Sequence, residues 1–199
     1  MSARRHVVAT LTAMALLPAL ASCAAKRDAP GPSLLLAPTP AYGSGDLEAL
    51  GPADYTWRIR PLGTGSESFA LERLRGRVLF INLWATWCAP CVAELASIAA
   101  LRDSLRTDDI VFLIVSPEEP ARVEAFLRRH RYDLPAYVEA RAMPAAFGLE
   151  ALPTTFVVDR LGRIVLRHRG AADWDRAPVR EFLRYLAARP APRAGGLPE

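Results

Sequence analysis

Two cysteines separated by two residues are the positions in this sequence best suited to chemistry. They are Cys88 and Cys91 in the run Trp84-Ala85-Thr86-Trp87-Cys88-Ala89-Pro90-Cys91. The run lies where a continuous apolar stretch ends and a helical pattern begins, so Cys88 falls at the amino end of an expected helix. There the unpaired N–H groups and the helix dipole favour a thiolate over a thiol. An ordinary cysteine, with a pKa of about 8.5, is only slightly ionised at neutral pH. Lowering that value towards ambient pH improves attack on a disulfide, although intrinsic nucleophilicity falls with it. Cys91, three residues on and on the same face, can then attack the mixed disulfide on Cys88 and release the substrate. Pro90 sits in the first turn, where its missing N–H had no helical partner, and stiffens the short ring. The spacing points to thiol–disulfide exchange.

Other uses of such a pair fit less well. A structural zinc site needs two more ligands, yet with Cys23 set aside at the end of the amino-terminal leader only His130 and His168 remain. Haem attachment needs a histidine directly after the second cysteine, where this chain has Val92. A purely structural disulfide across two residues would stabilise little through loop closure. A thiol peroxidase would need an arginine and threonine arrangement around Cys88 that the sequence does not offer. A metallochaperone or haem-handling module using the same thiols as ligands is the rival of a different class. A disulfide oxidase or isomerase is the nearer rival.

The elements that must position the pair alternate between strand and helix. Residues 55–60 alternate as a strand, with 66–70 as its hairpin partner after the Gly63–Gly65 turn. Residues 78–84 form a continuous apolar run, the signature of a strand buried on both faces. A helix is expected over 88–106 with Val92, Leu95, Ile98 and Leu101 on one stripe. A second buried strand at 110–115, a helix at 118–131 and a short strand at 134–138 follow. Residues 154–158 and 163–168 form a hairpin around Gly162, and a helix over 175–188 closes the domain. The expected fold class is α/β, with a central mixed sheet covered on both faces.

Residues 1–22 read as a secretory leader: Arg4 and Arg5 precede an apolar run too short for a bilayer span of about 20 residues. The run Leu20-Ala21-Ser22-Cys23 resembles the lipobox of bacterial lipoproteins, which implies cleavage before Cys23 and acylation of its sulfur. The rest of the chain is then extracytoplasmic and membrane-anchored, at the periplasmic face in a Gram-negative cell, and Cys23 leaves the thiol count. Residues 23–54 are rich in proline and glycine and read as a linker, interrupted by an apolar patch at 34–36. The domain is expected at 55–188 and a disordered tail at 189–199. The net charge is +4, and two of the positive groups fall in the leader, so a nucleic-acid partner is not expected.

The stretch from Asn82 to Glu94 resembles the active site of the membrane-tethered, thioredoxin-like TlpA/ResA/CcmG group. The run Leu152-Pro153-Thr154-Thr155-Phe156-Val157-Val158-Asp159, followed by Gly162-Arg163-Ile164, is similar to that group's second signature. The resemblance spans residues 54–188 and implies a thioredoxin-like fold with an amino-terminal β-hairpin and an extra helix–strand insertion over 116–140. It implies that Pro153 is a cis-proline facing the cysteines, although the residues alone would suggest a trans proline opening a strand. Leu152 would then offer its backbone to an extended substrate. Cytoplasmic thioredoxins are similar here but carry an aspartate where Asn82 stands. An amide cannot take up a proton, and the resemblance assigns that task to Glu94, helped by partial burial. Trp84 reads as core, and Trp87 as a lip against which substrate packs beside Pro90. The implied protein is a reductase that needs no cofactor or metal. Its partners would be a protein disulfide, such as the haem-binding cysteines of apocytochrome c or the thiols of a copper-site assembly factor, and a thiol-transferring membrane reductant. Cys88, Cys91 and Glu94 would be catalytic, with Trp87, Pro90, Leu152 and Pro153 contacting substrate.

Overall fold

The computed structural model describes residues 48–190, apart from 64, 107, 108 and 149. The leader, Cys23, the apolar patch at 34–36 and the tail beyond 190 lie outside the described residues. Seven strands run as β1 (Arg58–Pro61), β2 (Phe69–Ala70), β3 (Val78–Leu83), β4 (Ile110–Ser116), β5 (Ala136–Glu139), β6 (Thr154–Val158) and β7 (Ile164–Arg169). The α-helices are α1 (Ala89–Ser104), α2 (Pro120–His130) and α3 (Ala177–Ala188). The strands form one mixed sheet in the order β2-β1-β5-β4-β3-β6-β7. β3 pairs in parallel with β4, and β4 with β5; every other pairing is antiparallel.

Side chains alternate across a strand, so each central strand feeds two cores. Val78 and Phe80 of β3 face one side, with Phe112 and Ile114 of β4 and Val157 of β6. Leu79, Ile81 and Leu83 face the other, with Leu113, Val115 and Phe156. Each fully buried side chain of this size is worth about 1.5–3 kcal/mol. All three α-helices pack on the first side, through Leu95, Ile98 and Leu101 of α1, Val123 and Leu127 of α2, and Val179, Leu183 and Leu186 of α3. The second side is covered by the chain around Leu50 to Trp57 and by short 3-10 turns carrying Leu71 and Phe147. The crossover rule explains this arrangement. From β3 to β4 to β5 the chain steps in one direction, and right-handed crossovers place both linking helices on the same face. The return from β5 to β6 then passes over the opposite face.

The amino-terminal segment differs from its sequence reading. Residues 54–56 form a 3-10 turn rather than strand, because Asp54 closes it: its side chain accepts from the Gly51 N–H and its carbonyl from the Trp57 N–H. The packed chain also reaches further upstream than residue 55. Ala49 bridges Arg163, Leu50 donates to the Gly162 carbonyl at 2.9 Å, and Leu50 is buried. Gly162 has a φ of +81°, and a Cβ there would also collide with the Tyr55 hydroxyl, so the β6–β7 turn accepts no side chain at this position. Asp159 completes the turn by accepting from the N–H groups of Leu161 and Arg163, both at 2.9 Å.

Candidate active site

β3 ends at Leu83, and the chain turns through Trp84 to Trp87 before α1 begins. Cys88 is the N-cap of α1, in an extended conformation, and its sulfur accepts the Cys91 N–H at 3.3 Å. The first turn of α1 contains no acidic residue and has proline near its start, so nothing there offsets the positive end of the helix dipole. Cys88 and Cys91 are joined as a disulfide, with Cα atoms 5.2 Å apart. Cys88 keeps 6% of its surface and Cys91 none, so Cys88 is the sulfur a partner can reach. Trp87 is 65% exposed beside it, while Trp84 is wholly buried against Phe126 of α2.

The second half of the site arrives through the sheet. Thr154 pairs with Leu83, which brings Pro153 to the end of the sheet where the active-site turn leaves. The Leu152–Pro153 bond is cis. Pro153 is buried, its carbonyl accepts from the Gly170 N–H, and Leu152 is partly buried against both cores.

Glu94 lies one turn beyond Cys91, 2% exposed, under α1. Its Oε1 accepts from Asn82 Nδ2 at 2.8 Å, and its Oε2 from the Ala172 N–H at 3.0 Å and Trp174 Nε1 at 2.9 Å. No cation pairs with it among the described residues. Burial therefore outweighs the three donors and lifts its pKa to about 7, from an ordinary value near 4.5. Ser97, one turn further along α1, accepts from the Trp174 N–H and so pins the same segment.

Sequence reasoning missed Ala172 and Trp174 as partners of this carboxyl and Thr155 as a partner of Asn82, and it missed Glu118. The Glu118 carboxylate, between β4 and α2, accepts from the Thr86 N–H at 2.5 Å and the Thr86 hydroxyl at 2.9 Å. Arg122 of α2 pairs with it at 2.9 Å and also donates to the Thr86 hydroxyl. The helix–strand insertion thereby grips the turn two residues before Cys88. No periodicity or motif marks these partners, since each contact links segments far apart in the chain. His168, without an assigned task in the sequence, stands edge-on to Trp174 with ring centres 5.4 Å apart.

The Redoxin family profile matches residues 55–184, well over half of the chain. The chain belongs to the Redoxin family. ResA of Halalkalibacterium halodurans, a thiol-disulfide oxidoreductase, is 30% identical to this redoxin over 122 residues, covering 60% of the chain and 68% of that protein. HelX of Rhodobacter capsulatus, a thiol:disulfide interchange protein, is 30% identical over 116 residues, covering 57% and 64% respectively. Other ResA proteins match over as little as 55% of their length, so the chain spans between about half and two thirds of these relatives. Among solved structures, a thiol:disulfide interchange protein from Chlorobium tepidum superposes with a TM-score of 0.52 at 16% identity, covering 73% of the redoxin and 100% of that chain. StoA from Bacillus subtilis gives 0.51 at 18%, covering 62% and 95%. These likenesses show a thioredoxin-like fold. With the cysteine pair at the head of α1, the redoxin is a ResA/CcmG-like thiol:disulfide oxidoreductase.

Proposed function

We propose that this redoxin is an extracytoplasmic, lipid-anchored reductase of selected protein disulfides. The observation that carries the reading is the seat of Cys88: the more exposed sulfur of the pair, at the open amino end of α1, already accepting a helix N–H. In the reduced protein the same groups would hold a thiolate. Cys88 attacks one sulfur of a substrate disulfide, the substrate S–S bond breaks, and the departing substrate sulfur leaves as a thiolate. The Cys91 thiol then passes its proton to the Glu94 carboxylate and attacks Cys88 Sγ. The mixed disulfide breaks, the second substrate sulfur leaves with its electron pair, and the Cys88–Cys91 disulfide remains. Two electrons have passed from the dithiol to the substrate, and no cofactor takes part.

Glu94 suits this step because a carboxyl with a pKa near 7 both accepts and returns a proton at neutral pH. Trp87 and Pro90 flank the more accessible cysteine in the chain, and the Leu152 backbone before Pro153 would accept an extended substrate segment as an added strand. The resemblance to the TlpA/ResA/CcmG group supports, as substrates, the haem-binding cysteines of apocytochrome c or the thiols of a copper-site assembly factor. It supports a thiol-transferring membrane protein as the source of electrons and Cys23 as the lipid anchor. Among the described residues no helix is long and apolar enough to cross a membrane, and no three histidine, cysteine or acidic side chains gather as a metal site.

The reduction potential of the Cys88–Cys91 couple tests the direction. A value near thioredoxin's, about −270 mV, is expected; one near about −120 mV would make the protein an oxidant. A Cys91→Ala variant should trap the physiological substrate on Cys88. A trapped copper-loaded or haem-loaded partner held without a mixed disulfide would favour a binding module instead.

A further inference from the structure

The Glu94 carboxyl is surrounded by donors, which raises the question of where its proton goes. Oε2 faces the Ala172 N–H and the Trp174 indole N–H, and neither group has an acceptor to offer in exchange. A proton on Oε2 would meet two hydrogens. Oε1 faces only the Asn82 amide among the hydrogen-bond partners of the carboxyl, through Nδ2 at 2.8 Å. An amide differs from the other donors because its oxygen and nitrogen occupy similar volumes and change places on a half turn.

The surroundings of Asn82 suit such a turn. Its Oδ1 is buried and has no hydrogen-bond partner, while Nδ2 donates both to Glu94 and to the Thr155 hydroxyl at 2.9 Å. A hydroxyl both accepts and donates. With the amide reversed, Oδ1 would accept from a protonated Oε1 and from the Thr155 O–H, and Nδ2 would move to the position that now lacks a partner. Each orientation leaves one end of the amide unpaired, and the charge on Glu94 decides between them.

We propose that Asn82 is the positioning residue for the proton on Glu94, offering Nδ2 to the carboxylate and, after a half turn shared with the Thr155 hydroxyl, Oδ1 to the carboxylic acid. The inference rests on the reading of Glu94 as the proton carrier for Cys91. It also gives a physical reason for an amide in place of the aspartate of cytoplasmic thioredoxins. An ionised aspartate has no hydrogen to donate and would set a like charge 2.8 Å from Oε1.

Other titratable groups face this cluster from each packed element. Cys88 and Cys91 come from α1 and carry no charge as a disulfide. From β7, His168 pairs in register with Thr155 and stacks edge-on against Trp174. Burial lowers the His168 pKa, so at neutral pH the ring adds little positive charge. Asp173, which precedes Trp174 in the chain, is half exposed and paired with Arg176.

The sequence makes the test direct. Asn82 is its only asparagine and it contains no glutamine, so the Asn82 NH2 group is the single side-chain amide of the chain. Nitrogen-15 and carbon-13 labelling of the full chain would follow that amide and the Glu94 carboxyl between pH 5 and 9. The expected result is one shared midpoint near about 7. An amide signal that stays in place while Glu94 titrates would overturn the proposal. Asn82→Asp should raise the proton affinity of Glu94 at least tenfold and shift the pH profile of Cys91 alkylation upward with it; an unmoved Glu94 midpoint would again overturn it. Glu94→Gln separates the two readings. If that variant keeps the wild-type Cys91 profile, Glu94 is not the proton carrier, and a titrating Asn82 amide still establishes the reversal.

Discussion

Two glutamates brace the active-site segment, and they are held in opposite ways. Glu94 is buried beneath α1 among neutral donors: an amide, a backbone N–H and an indole. Glu118 sits at the rim, its carboxylate 9% exposed, gripping Thr86 while paired with the Arg122 guanidinium. Neutral donors offset only part of the desolvation cost, so Glu94 keeps a proton up to about pH 7. A tether gains from a charge partner, whereas the proton carrier proposed above needs the absence of one. The same side chain thus stands in two surroundings, one paired with a cation and one not.

The largest expected effect comes from removing the buried carboxyl's titration. The folded-state pKa of Glu94 is raised, so its contribution to stability is full below about pH 4.5 and lost as pH rises through about 7. That decline amounts to about 3 kcal/mol. In Glu94→Gln, urea unfolding across this range should lose the corresponding slope; an unchanged slope would mean that the carboxyl is not buried as a neutral acid. Glu118→Ala strands the Thr86 N–H and should cost about 1–3 kcal/mol by the same measurement. It should also slow attack of Cys88 on a protein disulfide more than on a small aromatic disulfide, because the displaced turn carries Trp87. Equal slowing on both would argue that the tether does not position the substrate lip.

Trp174→Phe keeps an aromatic ring against Phe80 and His168 but removes the indole donor. The ionised form of Glu94 loses a hydrogen bond, so its midpoint should rise by about one pH unit, read by carbon-13 titration. A fall would mean that the indole stabilises the acid instead. Arg122→Leu should have the smallest effect, under about 1 kcal/mol, because its guanidinium is 62% exposed and Thr86 keeps its bonds to Glu118. A loss as large as that of Glu118→Ala would assign the tether to the ion pair.

Much of the frame was legible residue by residue. The apolar run at 78–83 is strand β3, the hairpin expected from 154–158 and 163–168 is β6 and β7, and the stripe through Leu95, Ile98 and Leu101 is the inner face of α1. These patterns are local, and buried strands and amphipathic helices write them directly into the chain. Which face each helix covers was not legible. Residues 118–131 read as an amphipathic helix, yet nothing in them says that it shares a face with α1; strand order decides that. Residues 55 and 56 looked like the start of a strand because their alternation suits either structure, and the Asp54 contacts with Gly51 and Trp57 decide for a turn.

By itself the sequence determined the dithiol, its seat at a helix start and the alternation of strands and helices, since these depend on neighbours within a few positions; the thioredoxin-like frame and the task of Glu94 followed from the resemblance its motifs carry. Tertiary structure alone decided what surrounds that glutamate. Asn82, Thr155, Ala172 and Trp174 come from segments up to 92 residues apart along the chain, counted from Asn82 to Trp174. A carboxyl's proton affinity is set by the water it loses and the donors it meets, and both are properties of the folded neighbourhood rather than of the chain around it.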